Sequence, residues 1–392
     1  MFQNSSKNIY PSSTIHEEFY AEQELRYDAA LLKAKERDNW VPLNSNSTVK
    51  WGSVTQVVPD RSRIWSELQN NIIPIKKDPS AHDVFVGRVL QINRHSSLEL
   101  ESGRRSSFFP GDIVGMAFGH RYATQQYFGD VPPRQYLYDM MSQGGVCGRV
   151  ISSPSHFSDP TLIEPLGYLV DSNKRIVNLQ DYSIPPMDST PRIPIILVVG
   201  SSMDAGKTTM ASSIIHGLTL AQKTVHAGKL TGTACMKDLN KMQDAGSAMV
   251  LDFSKAGFAS TANSSEEQLR HICHTLISNL SKGNPDYLVL EIADGIIQPE
   301  TQSVIDYLNN NSSIDHLCLA VGDVMSALPA IHLLKNKWRI TPSAISGAAT
   351  ISPLSMHELR SMVSVPCYMK DELALPSVTE LFAESTLAPN AM

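Results

Sequence analysis

The sequence predicts an α/β domain with a mostly parallel, doubly wound sheet, preceded by a small β-barrel domain and an N-terminal helical arm. Three observations carry this. Ile195-Ile-Leu-Val-Val199 is a run of five apolar, mostly β-branched residues, followed by a short polar loop and a helical stretch to about Leu220. From 195 onward, strand-like runs alternate with helix-like ones, the pattern of parallel βαβ units. Between about 81 and 170 the texture is different, with short strands at fairly regular spacing separated by Gly, Pro and Asp turns, as in a small barrel.

Taken in order, residues 1–75 form the arm. Residues 1 to about 14 are rich in Ser and Asn. Glu17 to Asp38 reads as a charged helix with a partial apolar face of Phe19, Leu25, Tyr27, Leu31 and Leu32, suited to a docking or oligomer contact. The stretch 40–75 is irregular, with Trp40, Trp51 and Trp65 set to cover core surface. Residues 76–180 form the barrel, with Val84 to Ile92 and Ile113 to Ala117 among its strands. The Gly111-Asp-Ile-Val turn resembles, weakly, turns of chaperonin-10-like and alcohol-dehydrogenase barrels. No dinucleotide-binding glycine pattern follows it, so a dehydrogenase is excluded. Residues 181–194, with Pro185, Pro186, Pro191 and Pro194, make a stiff linker. Residues 195–392 are the α/β domain.

The loop after the first α/β strand has the composition of a phosphate cradle. Gly200, Ser201, Ser202, Met203, Asp204, Ala205, Gly206, Lys207, Thr208 and Thr209 join strand to helix. Backbone N–H groups of such a loop and of the helix N-terminus surround a phosphate. Lys207 would reach the β- and γ-phosphates, and the Thr208 hydroxyl would hold Mg2+. Ser201 stands where the first glycine of the usual motif falls, with Gly200 one step earlier. The expected ligands are ATP, with GTP an open alternative, and Mg2+.

Ligands of an open α/β sheet bind outside the carboxyl ends of its strands. Lys223 to Thr233 reads as the second strand and its turn, placing Lys229, Thr231 and Thr233 near a γ-phosphate or a substrate. Asp238, Asp244 and Asp252 follow. Asp244 is spaced to serve as a metal ligand or a substrate base, or else is simply solvated. Tyr287-Leu-Val-Leu-Glu-Ile-Ala-Asp-Gly295 is a buried strand ending in acid. Glu291 and Asp294 are candidates for Mg2+ and for catalysis, because a carboxylate in an apolar strand is costly without a partner. His271, Cys273 and His274 fall on different faces of a helix and do not make a metal site. In the barrel, Phe118 to Tyr127 gathers His120, Arg121 and Tyr122 with hydroxyl and amide groups. It is either a substrate contact for an anion or a polar loop closing the barrel.

Composition narrows the partners. Charged residues are 18% of the chain, the formal net charge is −6, and no basic block occurs, so neither nucleic acid nor an anionic membrane is favoured. No apolar run has the length of a membrane span and the start lacks the apolar centre of a signal peptide. The five scattered cysteines suit reduced thiols in a cytoplasmic setting.

These motifs resemble dethiobiotin synthetase. Gly200-Ser-Ser-Met-Asp-Ala-Gly-Lys-Thr208 is similar to that family's phosphate loop, and Ala227-Gly-Lys-Leu-Thr-Gly-Thr233 to its second-strand lysine turn. Gln243-Asp-Ala245 resembles its metal-binding Asp segment and Leu290-Glu-Ile-Ala-Asp-Gly295 its acid-bearing strand. The likeness runs from about 194 to 370, and the whole chain is similar to bacterial proteins that place a barrel before such a domain. It implies a P-loop NTPase that activates a small carboxylate by phosphoryl transfer, as kinase or ligase. Lys207 and Thr208 would bind phosphate and metal, Asp244 and Glu291 metal, and Lys229 the acyl phosphate. A homodimer is compatible with the fold. Two departures separate the chain from biotin-precursor chemistry: Ser346-Gly347 replace a base-reading asparagine, and Asp294 replaces a glycine. The alternative activity is a nucleotide-hydrolysing switch or maturation factor acting on a protein partner.

Overall fold

The computed structural model describes residues 24–32, 48–61, 75–188, 191–311 and 313–383. The N-terminal unit is all β: β1 (Val49–Trp51), β2 (Val84–Gln91), β3 (Ser97–Glu99), β4 (Arg105–Ser107), β5 (Ile113–Phe118), β6 (Arg121–Tyr122), β7 (Phe128–Asp130), β8 (Tyr138–Met140), β9 (Val146–Ser152) and β10 (Thr161–Tyr168). Its main sheet runs β1-β5-β2-β10-β8-β9-β7-β6, and a further pairing of β5 with β9 closes β5, β2, β10, β8 and β9 into a ring. Phe85, Phe118, Tyr138 and Tyr168 meet inside it, with Phe85 and Phe118 stacked at 4.3 Å. Part of the stretch read as irregular is therefore sheet: β1 pairs with β5 and lays Trp51 on it. Residues 24–32 form a helix docked on the same unit. Tyr27 and Ala30 pack with Leu90, Leu137 and Leu162, and Arg26 meets buried Asp139 at 2.6 Å. Phe19, Trp40 and Trp65 lie outside the described residues.

The C-terminal sheet is six-stranded and parallel. Its strands are β11 (Ile195–Gly200), β12 (Val225–Lys229), β13 (Met249–Asp252), β14 (Tyr287–Glu291), β15 (His316–Ala320) and β16 (Ala344–Ser346), in the order β13-β12-β14-β11-β15-β16. Leu197 and Val199 enter one hydrophobic cluster while Ile196 and Val198 enter another. A strand buried on both faces needs an unbroken apolar run, as the sequence has there. The connecting helices are α2 (Lys207–Leu220), α3 (Met236–Asp244), α4 (Glu266–Leu280), α5 (Pro299–Asn310), α6 (Val324–Trp338) and α7 (Pro353–Met362), the 24–32 helix being α1. Ser265 and Gln268 form a capping box on α4, and Asp323 caps α6. No helix among the described residues is long and apolar enough to cross a membrane.

The two units share one core. Val54, Val84, Tyr127 and Leu179 belong to the same apolar cluster as Leu230, Ala234, Phe253 and Phe258. Buried Glu99 of β3 accepts the backbone N–H of Met236 at 2.6 Å, placing a carboxylate at the N-terminus of α3. Gly144 lies against the other unit so closely that a Cβ there would fall 2.1 Å from the Ala234 carbonyl oxygen. His82 Nδ1 accepts the Ala259 N–H at 3.1 Å, so the ring is neutral with its proton on Nε2.

Burial, with His120 nearby, lowers the His82 pKa to about 4, and burial lowers that of His95 to about 4 as well. The unfolded chain takes up these protons near the ordinary pKa of about 6.5. The folded state is therefore favoured above that pH and loses this contribution as pH falls towards 4. Each histidine should contribute about 2 kcal/mol less at about pH 5 than at about pH 7. Urea unfolding at the two pH values measures this. His82→Asn, which tolerates the left-handed backbone at this position (φ 74°), should flatten the dependence, and an unchanged slope would refute the assignment.

Candidate active site at the carboxyl ends of the sheet

The phosphate loop is wedged at the centre of the parallel sheet. Ser201 N–H donates to Ala320 O at 2.9 Å, and Ala348 N–H donates to Ala205 O at 3.0 Å, tying the loop to the ends of β15 and β16. Gly206 caps α2 with φ 101°, and a Cβ there would lie 2.9 Å from Gly347 Cα. Glycine is required on both counts.

A cleft of about 590 Å3 opens between this loop and the β-unit. Met203, Asp204, Gly206, Lys207, Thr208 and Thr209 line it, with Gly200, Ser201, Ser202 and Ala205 building the loop behind them. Lys207 is buried and donates from Nζ to Ser202 O at 2.7 Å. Burial lowers its pKa against the pull of Glu291 and Asp294. Thr208 Oγ1 donates to Glu291 Oε1 at 3.0 Å. Lys229, at the end of β12, pairs with Asp238 and stands 3.9 Å from Glu291. Burial disfavours its charge, but Asp238 and Glu291 together leave its pKa raised. Burial raises the Glu291 carboxyl, which Lys229 and Lys207 only partly offset. Its Oε2 has no hydrogen-bond partner among the described residues. Asp294 lines the same cleft from a left-handed turn (φ 56°) and is raised by burial despite both lysines.

These residues fit Mg2+. A buried carboxylate oxygen without a partner stands beside the helix-opening Thr208 hydroxyl. No group of three or more His, Cys, Asp or Glu side chains among the described residues is arranged as a complete cage. Mg2+ needs none, since it is commonly held by one or two carboxylates together with substrate phosphates.

The structure redistributes some of the expected roles. Asp244 ends α3 at an exposed position and does not line the cleft. The acid that does is Asp238, in the first turn, because α3 starts at Met236 and points its N-terminal turn inward. Thr233 lines the cleft, whereas Thr231 is buried and accepts the Ala293 N–H at 2.9 Å, holding two loops together. Asp252 is buried and caps the turn after β13. Arg121 and Tyr122 reach the cleft from β6, while His120 lines a smaller side cavity of about 160 Å3 beside them. Gln126, from the same polar stretch, lines the cleft as well, and so do Arg94, His95, Arg105, Cys235 and Lys237, which no sequence motif singled out. The loop at Arg94 and His95, strand β4 and the start of α3 supply these residues, and only the tertiary fold brings those segments together.

Loop, helix and parallel sheet give the C-terminal unit an α/β P-loop fold. No protein-family model matches the chain, and no curated protein matches it. Among solved structures it is similar to the signal recognition particle receptor FtsY from Elizabethkingia anophelis, at 15% identity over 53% of this chain and 74% of that one, with a TM-score of 0.34. Chloroplast FtsY from Physcomitrella patens is 12% identical over 52% of this chain and 70% of that one, with a TM-score of 0.35. The signal recognition particle 54 kDa protein from Aeropyrum pernix K1, in complex with GDP, is 12% identical over 50% of this chain and 49% of that one, also at 0.35. Likenesses this distant carry no inference about activity.

Glu291→Gln separates site from scaffold. It keeps the side-chain shape and an oxygen for the Thr208 hydroxyl but takes one carboxylate partner from Lys229 and Lys207, so thermal stability, measured alongside, should fall. Mg2+-dependent nucleotide affinity should fall at least about tenfold, the lower bound for losing even an outer partner of a metal. Titration calorimetry with and without Mg2+ checks this, and unchanged affinity would remove Glu291 from the metal site.

Proposed function

We propose that this chain is a Mg2+-dependent P-loop enzyme that uses ATP, with GTP the alternative, to phosphorylate a small acidic molecule in the cleft, as a kinase or as the first step of a ligase. The observation that carries this reading is the sign of the cleft. Seven lysine and arginine side chains line it against four carboxylates, on a chain of net charge −6. A lining with a surplus of positive charge concentrates anionic ligands. More cations converge here than the phosphate loop itself supplies.

Each group then has a task. Lys207 exchanges Ser202 O for phosphate oxygens. Thr208, Glu291 and, behind Lys229, Asp238 would hold Mg2+, which when bound neutralises phosphate charge. Lys229 faces the transferring group and offsets the charge that gathers on its oxygens. Asp294 stands ready to take the proton when the attacking group is a hydroxyl. The bond from the γ-phosphorus to the bridging oxygen breaks, the nucleoside diphosphate leaves with that electron pair, and an acceptor oxygen forms the new bond. The β-unit excludes water by closing one side of the cleft.

A nucleotide-driven switch is the second reading. It is favoured by the contact of Gly144 with Ala234, four residues after the turn begins at Leu230, which gives a shift at Lys229 a rigid path into the β-unit. Release of ADP and GDP by purified protein with Mg2+ separates the two, measured alone and with small-acid mixtures. The enzyme reading predicts hydrolysis or transfer that rises with acid and falls about 100- to 1,000-fold in Lys207→Ala, the scale of one preorganised charge contact. Near-wild-type turnover in that variant would overturn the assignment of the loop. Slow hydrolysis indifferent to every acid would favour the switch.

A further inference from the structure

We infer that Arg121 is a carboxylate-recognition site built into the β-unit, so that the molecule phosphorylated is a small bifunctional acid, held by one carboxylate at Arg121 while a second oxygen, carboxylate or hydroxyl, faces the phosphate loop. This rests on the phosphoryl-transfer reading and deepens it.

Arg121 is 8% exposed and lines the cleft. Its Nη2 donates to Gln126 Oε1, but Nε and Nη1 are buried with no hydrogen-bond partner among the described residues. Guanidinium has five donors and cannot escape its charge by losing a proton under ordinary conditions. A buried charge left in this state is costly, and fixed partners normally accompany it. Burial lowers the Arg121 pKa to about 10, and the nearby Cys235, Tyr127 and Asp294 do not restore it. Tyr127 is engaged elsewhere, its hydroxyl donating to Ser158 O at 2.6 Å. The thiol of Cys235 is itself pushed up to about 12 by burial and Glu99, so it supplies no anion.

The charge balance favours a carboxylate over a phosphate ester. Arg121 offers one buried positive charge, with Asp294 in electrostatic reach. A carboxylate brings one negative charge, whereas a phosphate monoester brings about −1.5 to −2 and faces Asp294 with the surplus. Arg94 and Arg105 lie at exposed positions on the cleft wall, where they draw anions inward without fixing their geometry. Arg94 is already stacked on Phe157 at 4.4 Å.

Calorimetry on the full chain, loaded with Mg2+ and a non-hydrolysable ATP or GTP analogue, tests this. Succinate and malate are the bifunctional probes, butyrate is the monofunctional control, and glycerol 3-phosphate and inorganic phosphate are the phosphate arm. Succinate or malate should bind more tightly than butyrate or either phosphate. Arg121→Gln should weaken that binding at least about tenfold, and Arg121→Lys less so, because it keeps the charge but loses the planar fork. The comparison among probes on the wild-type protein stands even where a variant fails to fold. Equal affinity in folded Arg121→Gln overturns the site. Tighter binding of the phosphates overturns the carboxylate class. Nucleotide binding with no response to any acid overturns this inference alone, and failure of the loop to bind nucleotide overturns the phosphoryl-transfer reading along with it.

Discussion

Glu291 ends an apolar strand with a buried carboxylate, and much of the site follows from the need to accommodate that charge. A lone buried carboxylate would sooner take up a proton than remain ionised. Here the Thr208 hydroxyl donates to it and Lys229 approaches from the next strand. Lys229 in turn requires Asp238, which brings the first turn of α3 inward. Lys207 lies within electrostatic reach of the same carboxylate. The result is a charged cluster at the point where β11, β12 and β14 end side by side. Parallel strands place all their carboxyl ends on one edge, so such a cluster forms without any residue leaving its element.

The β-unit turns this edge into a cleft. Its contacts with the α/β domain are of two kinds. A shared apolar core fixes the two units together, and polar contacts through Glu99 and His82 fix their register. Closely packed interfaces resist small displacements, so Arg121 is held at a defined place opposite the loop. That arrangement gives the cleft one wall built from the Gly200–Thr209 loop and another with cationic side chains from a different fold unit.

Legibility in the sequence followed the range of the interactions. The loop from Gly200 to Thr209, the lysine at the end of β12 and the acid at the end of β14 were readable, because strand, turn and helix signals lie next to the functional residues. The β-rich unit was readable from its turns, but the membership of Val49–Trp51 in its sheet was not, since that pairing with β5 spans some sixty residues. Asp244 and Asp238 could not be told apart from the sequence for a local reason. Both acids lie in one helix, and only the helix start at Met236 decides which of them faces the cleft. Arg121 stood out as part of an unusual polar stretch. Its two unpartnered nitrogens depend on Gln126, on burial and on the opposing domain, which no local pattern records.

The central claim is that a nucleoside triphosphate occupies the loop and faces the β-unit across the cleft. Hydrogen exchange with and without Mg2+ and a non-hydrolysable analogue tests it most directly, because it reports where ligand binding steadies the backbone. The account predicts slowed exchange over 201–209 and 291–295, extending to 121–126 when a small acid is added. Protection confined to other surfaces, or none in the loop, would contradict it.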